Sequence, residues 1–178
     1  MAHAAELTRA ASPARRRYGA SVRGTERIGS GDVELRWAAG EHDRRQALSV
    51  REEVFCGEQG VPRALELDGL DDHALHLVAL PAGAAHAVGT LRLLLDGTEA
   101  KVGRVAVQRR WRGRGIASRM LAAALATAAD RGCRSARLAA QLQATALYKR
   151  AGFTLASEPF EQAGIAHVWM RRKLTDPA

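Results

Sequence analysis

A stretch rich in arginine and glycine, residues 105–118, has the residue types and spacing that best suit chemistry. It reads Val-Ala-Val-Gln-Arg-Arg-Trp-Arg-Gly-Arg-Gly-Ile-Ala-Ser, a strand-like segment that runs into a loop and then into a helix. Free N–H groups at a helix start form an anion site, and glycines let phosphate oxygens approach the backbone closely. Arginine side chains add charge that a diphosphate can accept. The residues predicted to contact the anion are Arg110, Arg112, Gly113, Arg114, Gly115, Ile116, Ala117 and Ser118.

Two other interpretations of this loop are open from the residues alone. A short motif of this kind also occurs as a basic surface turn without a ligand, and as a contact to nucleic acid. It differs from the G-x-G-x-x-G fingerprint of dinucleotide-binding proteins, and it lacks the G-K-[ST] of a P-loop. The loop therefore belongs to neither of these two nucleotide-binding classes.

The basic charge of the chain does not by itself indicate nucleic-acid binding. The formal charge is +8, from 27 Lys and Arg against 19 Asp and Glu, and half of the excess lies in residues 1–31. The remainder suits a small anionic ligand as well as a polynucleotide. Only 4% of the residues are aromatic, so no stacking platform for bases is legible. We expect no nucleic-acid partner.

Length and composition predict one domain that follows a tail. The 178 residues, 47% of them hydrophobic, suffice for a single core. Residues 1–32 have no apolar periodicity and predict a disordered basic tail, with an organelle-targeting peptide as the alternative. The sequence contains no uninterrupted run of eighteen apolar residues, so a membrane span is not expected. The two distant cysteines favour a reducing, cytoplasmic setting.

Strands and helices that would position the loop follow from apolar periodicity. An alternation with period two predicts strands, and a period near 3.6 predicts helices. The predicted strands cover residues 33–37, 74–80, 87–95, 101–107, 135–140, 153–157 and 167–173. The predicted helices cover residues 42–56, 115–131 and 144–151, and residues 57–72 are predicted to form an acidic loop. The expected result is a mixed sheet with helices on its faces.

Two separated segments resemble motifs of the GCN5-related N-acetyltransferase (GNAT) superfamily. Residues 112–117, Arg-Gly-Arg-Gly-Ile-Ala, are similar to the family's Q/R-x-x-G-x-G/A motif, which also follows the fourth strand and begins a helix. Residues 146–153, Ala-Leu-Tyr-Lys-Arg-Ala-Gly-Phe, are similar to the family's A-x-x-F-Y-x-x-x-G-F segment. Residues 51–71 and 164–167 further resemble the ElaA-like branch. The resemblance extends over about residues 33–174.

The resemblance implies an α/β (α+β) fold of the GNAT type. The expected sheet is mixed, mostly antiparallel and six- or seven-stranded, with about four helices on its faces. It is expected to splay between its fourth and fifth strands to admit CoA. The implied activity is N-acyl transfer from acetyl-CoA, a cosubstrate, to an amine of a small molecule or a protein. No metal is implied.

The implied chemistry can be matched to particular residues. Attack of an amine on a thioester needs a donor for the developing oxyanion, an acceptor for the amine proton and an acid for the departing thiolate. The backbone N–H groups of Val105, Ala106 and Val107 would be the donors at the splay. Tyr148, which is protonated at neutral pH, would be the acid. The alternative role for Tyr148 is that of a core aromatic beside Phe153.

The proton acceptor and the acceptor-substrate site are less specified, and the candidates are Glu58, His76 and His167. Each histidine could instead be a half-buried residue with a satisfied ring. The acidic loop could attract a cationic amine or simply be solvated. A metal site at His73 and His76 is not expected, because residues three apart on a strand point to opposite faces.

Further functional alternatives are a non-catalytic acyl-CoA sensor and an acyltransferase of the acyl-homoserine-lactone synthase kind. Tyr148 argues against the sensor, and the cofactor loop favours CoA over the carrier protein used by the synthases. A monomer or a homodimer is expected. The acceptor amine is not specified.

Overall fold

The computed structural model describes residues 33–174, so the predicted tail of residues 1–32 lies outside the described part of the chain. The strands of this part are β1 Val33–Trp37, β2 Leu75–Pro81, β3 Gly89–Asp96, β4 Glu99–Val107, β5 Ser135–Gln141, β6 Thr154–Leu155, β7 Phe160–Gln162 and β8 Ile165–Lys173. The α-helices are α1 Glu41–Arg51, α2 Arg63–Glu66, α3 Ile116–Asp130 and α4 Thr145–Arg150.

All eight strands form one sheet in the order β1-β2-β3-β4-β5-β8-β6, with β7 paired to β8. The β4–β5 pair is parallel and the other pairs are antiparallel. The predicted mixed, mostly antiparallel sheet is therefore confirmed. The added strand is β7, whose three residues are too few to produce a period-two pattern in the sequence.

The two faces of the sheet are covered by different helices. On α3 the predicted apolar spacing is confirmed, because Ile116, Met120, Leu121 and Ala124 are all buried in the main core. A left-handed Gly132, with φ of 83°, follows the helix as its sequence position predicts. The opposite face is covered by α1, whose buried residues form a second, smaller cluster. The site described below lies on this second face.

The segment between α1 and β2 departs from the sequence prediction. The predicted helix over residues 42–56 is α-helical only as far as Arg51, and then widens into a π-helical segment, Glu52–Glu58. The predicted loop over residues 57–72 contains α2 and begins the short 3-10 turn Asp71–His73. Hydrophobic periodicity does not separate an α-helix from a π-helical turn over so few residues. This segment forms one wall of the site.

Candidate active site

The sheet opens between β4 and β5. These strands are paired over three residues, ending at Lys101 and Arg137. Against the β3 segment Thr90–Arg92, the β4 segment Gly103–Ala106 holds one extra residue, and Arg104 has a left-handed φ of 52°. Such a bulge bends its strand and increases the local twist. The predicted splay between the fourth and fifth strands is confirmed, and the bulge accompanies it.

The predicted phosphate loop ends where α3 begins. Gly115 is the N-cap residue, with φ of 73° and no side-chain cap. The bond from Arg119 N to Gly115 O, at 3.0 Å, begins the helical ladder, so the helix backbone leaves the N–H groups of Ile116–Ser118 without acceptors. A Cβ atom added at Gly113 or Gly115 would meet nothing within 4 Å. The backbone of the loop is therefore open to a ligand.

The three arginines of the loop that are predicted to bind the anion differ in what they contact. Arg112 forms an ion pair with Glu58, with an N–O distance of 2.7 Å. The guanidinium carbon of Arg114 lies over the ring of Trp111, 4.7 Å from the ring centroid. Arg110 is exposed. Positive charge therefore surrounds the uncapped helix end from the side chains as well as from the backbone.

The predicted oxyanion donors, the N–H groups of residues 105–107 on β4, do not all point in the same direction. Successive residues of a strand direct their N–H and C=O groups to opposite edges. The Ala106 carbonyl lies beside Gly89 of β3, 3.3 Å from where a Cβ would be. The Val107 carbonyl instead accepts from Arg112 Nε at 2.8 Å. Outside the bulge this alternation directs the N–H group of Val107 to the opening and that of Ala106 to β3. Val105 belongs to the bulge, where the ladder to β3 is disrupted.

Tyr148 lies on α4 at the wall of the opening. Its side chain is only 8% exposed and packs edge to face on Phe153, with ring centroids 6.2 Å apart. Burial raises the pKa of Tyr148 to about 12. The hydroxyl has no hydrogen-bond partner among residues 33–174. The ring thus belongs to the core, and the same side chain lines the cleft described next.

A cleft of about 430 Å³ extends from the opening over the face covered by α1. Four aromatic side chains line it, namely Phe55, Tyr148, His167 and Trp169. Five charged side chains also line it, namely Glu66, Asp68, Arg92, Lys101 and Arg104. Its walls come from the central strands, from β8 and from the segment between α1 and β2.

An ion-pair network borders this cleft. Its members are Arg51, Arg92, Arg104, Glu66, Asp68 and Asp71. The side chain of Arg51 is fully buried and donates to Glu66 at 2.9 Å and to Asp71 at 2.7 Å. Arg92 donates to Asp68 at 2.6 Å, and these hydrogen bonds hold the pKa of Asp68 well below its usual range. The network fixes the acidic segment against β3 and β4.

Neither alternative for the acidic loop, attraction of a cationic amine or simple solvation, anticipated this network. Glu66, Asp68 and Asp71 are paired with arginines, because the buried groups Arg51, Arg92 and Glu66 require a counter-charge. A signal was present in the sequence. Arg51 occupies an apolar position of the predicted helix and Arg92 interrupts an apolar run, and a charged residue on a core face is rarely buried without a partner.

The three candidates for proton acceptor and acceptor-substrate site lie in different places. Glu58 does not line the cleft and pairs with Arg112. His76 is 4% exposed, also outside the cleft lining, and its Nε2 lies 3.1 Å from the Asp71 carbonyl oxygen. His167 lines the cleft, and its Nδ1 lies 2.7 Å from the Ile165 carbonyl oxygen.

A pair of glutamine side chains joins the two walls of the cleft. Gln141, at the end of β5, donates to Gln59 at 2.8 Å, and Gln59 donates back at 3.3 Å. Both residues line the cleft. The π-helical segment before Gln59 is also attached to the cofactor loop, since Gln108 donates to Glu53 at 2.7 Å. Reciprocal amide pairs of this kind escaped the sequence analysis, because their partners lie 82 residues apart.

The splayed sheet, the uncapped α3 and the adjoining cleft define an acyl-CoA N-acyltransferase class of fold. A family model described as an acetyltransferase (GNAT) domain matches residues 39–174. The chain belongs to this family. Within the described residues, no helix is long and apolar enough to cross a membrane, and no group of three or more His, Cys, Asp or Glu side chains is placed to hold a metal ion.

Similar proteins support the same assignment. The uncharacterized N-acetyltransferase YjcF of Bacillus subtilis is 35% identical over 136 residues, which cover 76% of this chain and 96% of that protein. An acyl-CoA N-acyltransferase from Pseudomonas aeruginosa has 31% identity and a TM-score of 0.66, covering 78% of this chain and 99% of that one. Escherichia coli ElaA has a TM-score of 0.70 at 24% identity, covering 79% and 99%, and shares the fold.

Proposed function

We propose that this protein transfers an acetyl group from acetyl-CoA to a primary amine of a small molecule or a protein, by direct attack of the amine on the thioester. One observation carries the proposal: a single opening in the sheet leads from an uncapped helix start, with open glycines, to a cleft lined by a tyrosine hydroxyl. The family and its acyl-CoA N-acyltransferase member support the donor.

The residues of the loop fit the pyrophosphate of CoA. The N–H groups of Ile116–Ser118 and the positive end of the α3 dipole suit an anion, and Gly113 and Gly115 leave room for its oxygens. Arg110, Arg112 and Arg114 are exposed around it. When bound, acetyl-CoA supplies the activated thioester carbonyl. The splay beyond Lys101 would admit its extended arm.

Different residues of the chain would then stabilise the developing charge, accept the amine proton and donate a proton to the leaving group. The N–H groups of Val105 and Val107 would stabilise the oxygen that gains negative charge. A carbonyl oxygen only accepts hydrogen bonds, so in the neutral ring of His167 the contact with the Ile165 carbonyl places the proton on Nδ1. Nε2 would then be free to accept the amine proton. Tyr148, protonated at neutral pH, would donate to the departing sulfur.

The cofactor assignment is tested by thermal unfolding with acetyl-CoA. At a concentration of 100 Kd the ligand should stabilise the wild type by about 2.7 kcal/mol through mass action. Gly115→Asp should abolish this shift, because the side chain enters the open space beside the backbone and its charge repels phosphate.

Gly83→Asp is the matched control, because Gly83 also has a left-handed φ, of 71°, with nothing within 4 Å of its added Cβ. Both variants should lose stability without ligand, and only Gly115→Asp should lose the ligand shift. No shift in the wild type would overturn the cofactor assignment. A thiol-release screen of amines then separates a transferase from a protein that only binds acyl-CoA.

A further inference from the structure

Lys101 places a positive charge in the cleft that no described residue neutralises. The side chain lines the cleft at the closed end of the splay, where β4 is last paired with β5. No carboxylate of residues 33–174 forms an ion pair with its ammonium group. The ammonium group instead lies near the ring of Trp169, whose centroid is 5.7 Å from Nζ.

The charges around Lys101 are otherwise balanced or positive. The neighbouring network sets three guanidinium groups against three carboxylates, so its formal charges cancel. Arg137, whose Cζ lies 5.4 Å from the same Trp169 ring, pairs with Glu99, which also pairs with Arg171. Burial, and then the charges of Arg137 and nearby Arg92, lower the pKa of Lys101. An anion bound in the cleft would relieve this imbalance.

The β4 backbone provides a path from Lys101 to the reacting end of the cleft. Lys101 and Gly103 lie on one face of the strand, because successive side chains alternate, and Val105 beyond the bulge lines the same cleft. A Cβ atom added at Gly103 would meet nothing within 4 Å, so a ligand has room there. At about 3.3 Å per residue, Lys101 and Val105 are at most ~13 Å apart along the strand, because the bulge between them shortens the path.

We propose that the acceptor substrate is an amine that also carries a carboxylate, and that Lys101 binds this carboxylate. The amine lies at the Val105 end, so the two groups of the acceptor are separated by several bonds. This assignment rests on the proposed acetyl transfer. The anionic group of the acceptor is a carboxylate and not a phosphate dianion. Glu66 and Asp68 also line the cleft and would repel a dianion, and the guanidinium groups beside them are already paired.

The test compares ω-amino acids of increasing chain length with their primary amides as acceptors. The acid and the amide of each pair have the same shape and differ in charge. For the best-fitting length, kcat/KM for the acid should exceed that for the amide by about 10- to 100-fold, the usual effect of a charge-assisted hydrogen bond. Lys101→Met should bring this ratio close to one, and Lys101→Arg should restore part of it.

Lys173→Met is the matched control, because Lys173 is exposed at the far end of β8 and does not line the cleft. It should keep the wild-type ratio. Unliganded melting temperature and the acetyl-CoA shift establish that each variant is folded. A ratio near one for every pair in the wild type, with active turnover, would overturn the carboxylate assignment and leave the acetyl transfer intact.

A second readout separates the two proposals without turnover. Calorimetry with CoA present measures the binding of the N-acetylated acids and of the N-acetylated amides. If the acids bind more tightly than the amides and this difference depends on Lys101, the carboxylate assignment is supported even when no amine is acetylated. The lack of turnover would in that case overturn the proposed acetyl transfer. Equal binding of acids and amides overturns the carboxylate assignment.

Discussion

The two sides of the opening are built in different ways. The proposed cofactor side is one continuous segment, residues 105–118, which offers backbone N–H groups, two left-handed glycines and exposed arginines. The proposed acceptor side is assembled from side chains of α1, β3, β4, β8 and the segment before β2. A backbone site of the first kind tolerates changes in its surroundings. A site of the second kind depends on the packing of several elements at once.

The difference indicates where substitutions should separate binding, turnover and stability. Changes on the cofactor side should affect CoA affinity with little effect on the fold. Changes in the ion-pair network should affect the fold first, because Arg51, Glu66 and Arg92 are buried. Tyr148 is linked both to the fold and to the reaction, since its ring is in the core and the same side chain lines the cleft.

The largest effect is expected at this junction. Tyr148→Phe keeps the ring and its contact with Phe153, so packing and CoA affinity should be preserved. The chemical step should slow by about 10² to 10⁴, the usual range for loss of a positioned acid. Single-turnover transfer, measured beside the CoA dissociation constant, separates the two quantities. An unchanged transfer rate in folded protein would remove Tyr148 from the mechanism and leave it a core residue.

The next effect concerns the stability of the acceptor side. Arg51→Met removes a fully buried guanidinium group and leaves Glu66 and Asp71 short of a partner, so the free energy of unfolding should fall by about 3–5 kcal/mol. Urea denaturation measures the loss. Arg63→Met is the control, because the pair of Arg63 with Glu52 has side chains 70% and 57% exposed, and it should change little. Equal losses would contradict a structural role specific to the buried network.

The smallest effect is expected at Glu58. Its pair with Arg112 is partly exposed, so Glu58→Gln should alter stability by no more than about 1 kcal/mol and should leave the amine KM and kcat nearly unchanged. Glu53→Gln, which alters another link between the same π-helical segment and the cofactor loop, is the comparison variant. Steady-state kinetics with the same amine measure kcat and KM for the wild type and both variants. If Glu58→Gln alone slows turnover by about a hundredfold or more, Glu58 returns to the mechanism as a base.

Local patterns were sufficient for much of the fold. The alternation of Val33, Leu35 and Trp37 predicted β1, and the apolar spacing over residues 115–131 predicted α3 to within one residue at each end. Periodicity missed β7 and the π-helical segment Glu52–Glu58, because both are too short to have a period of their own.

The sequence by itself determined the sheet and the helix that follows the glycines, and it indicated the loop that we propose binds the cofactor. Each of these depends on neighbours within a few residues, and the conformation of a glycine or an amphipathic helix is set over that range. Only the tertiary structure decided which charged groups are free. Arg51 and Arg92 meet the carboxylates of residues 66–71 across different elements, and this pairing leaves Lys101 without a counter-charge among the described residues. Coulombic pairing depends on distance in space, and distance along the chain does not reveal it.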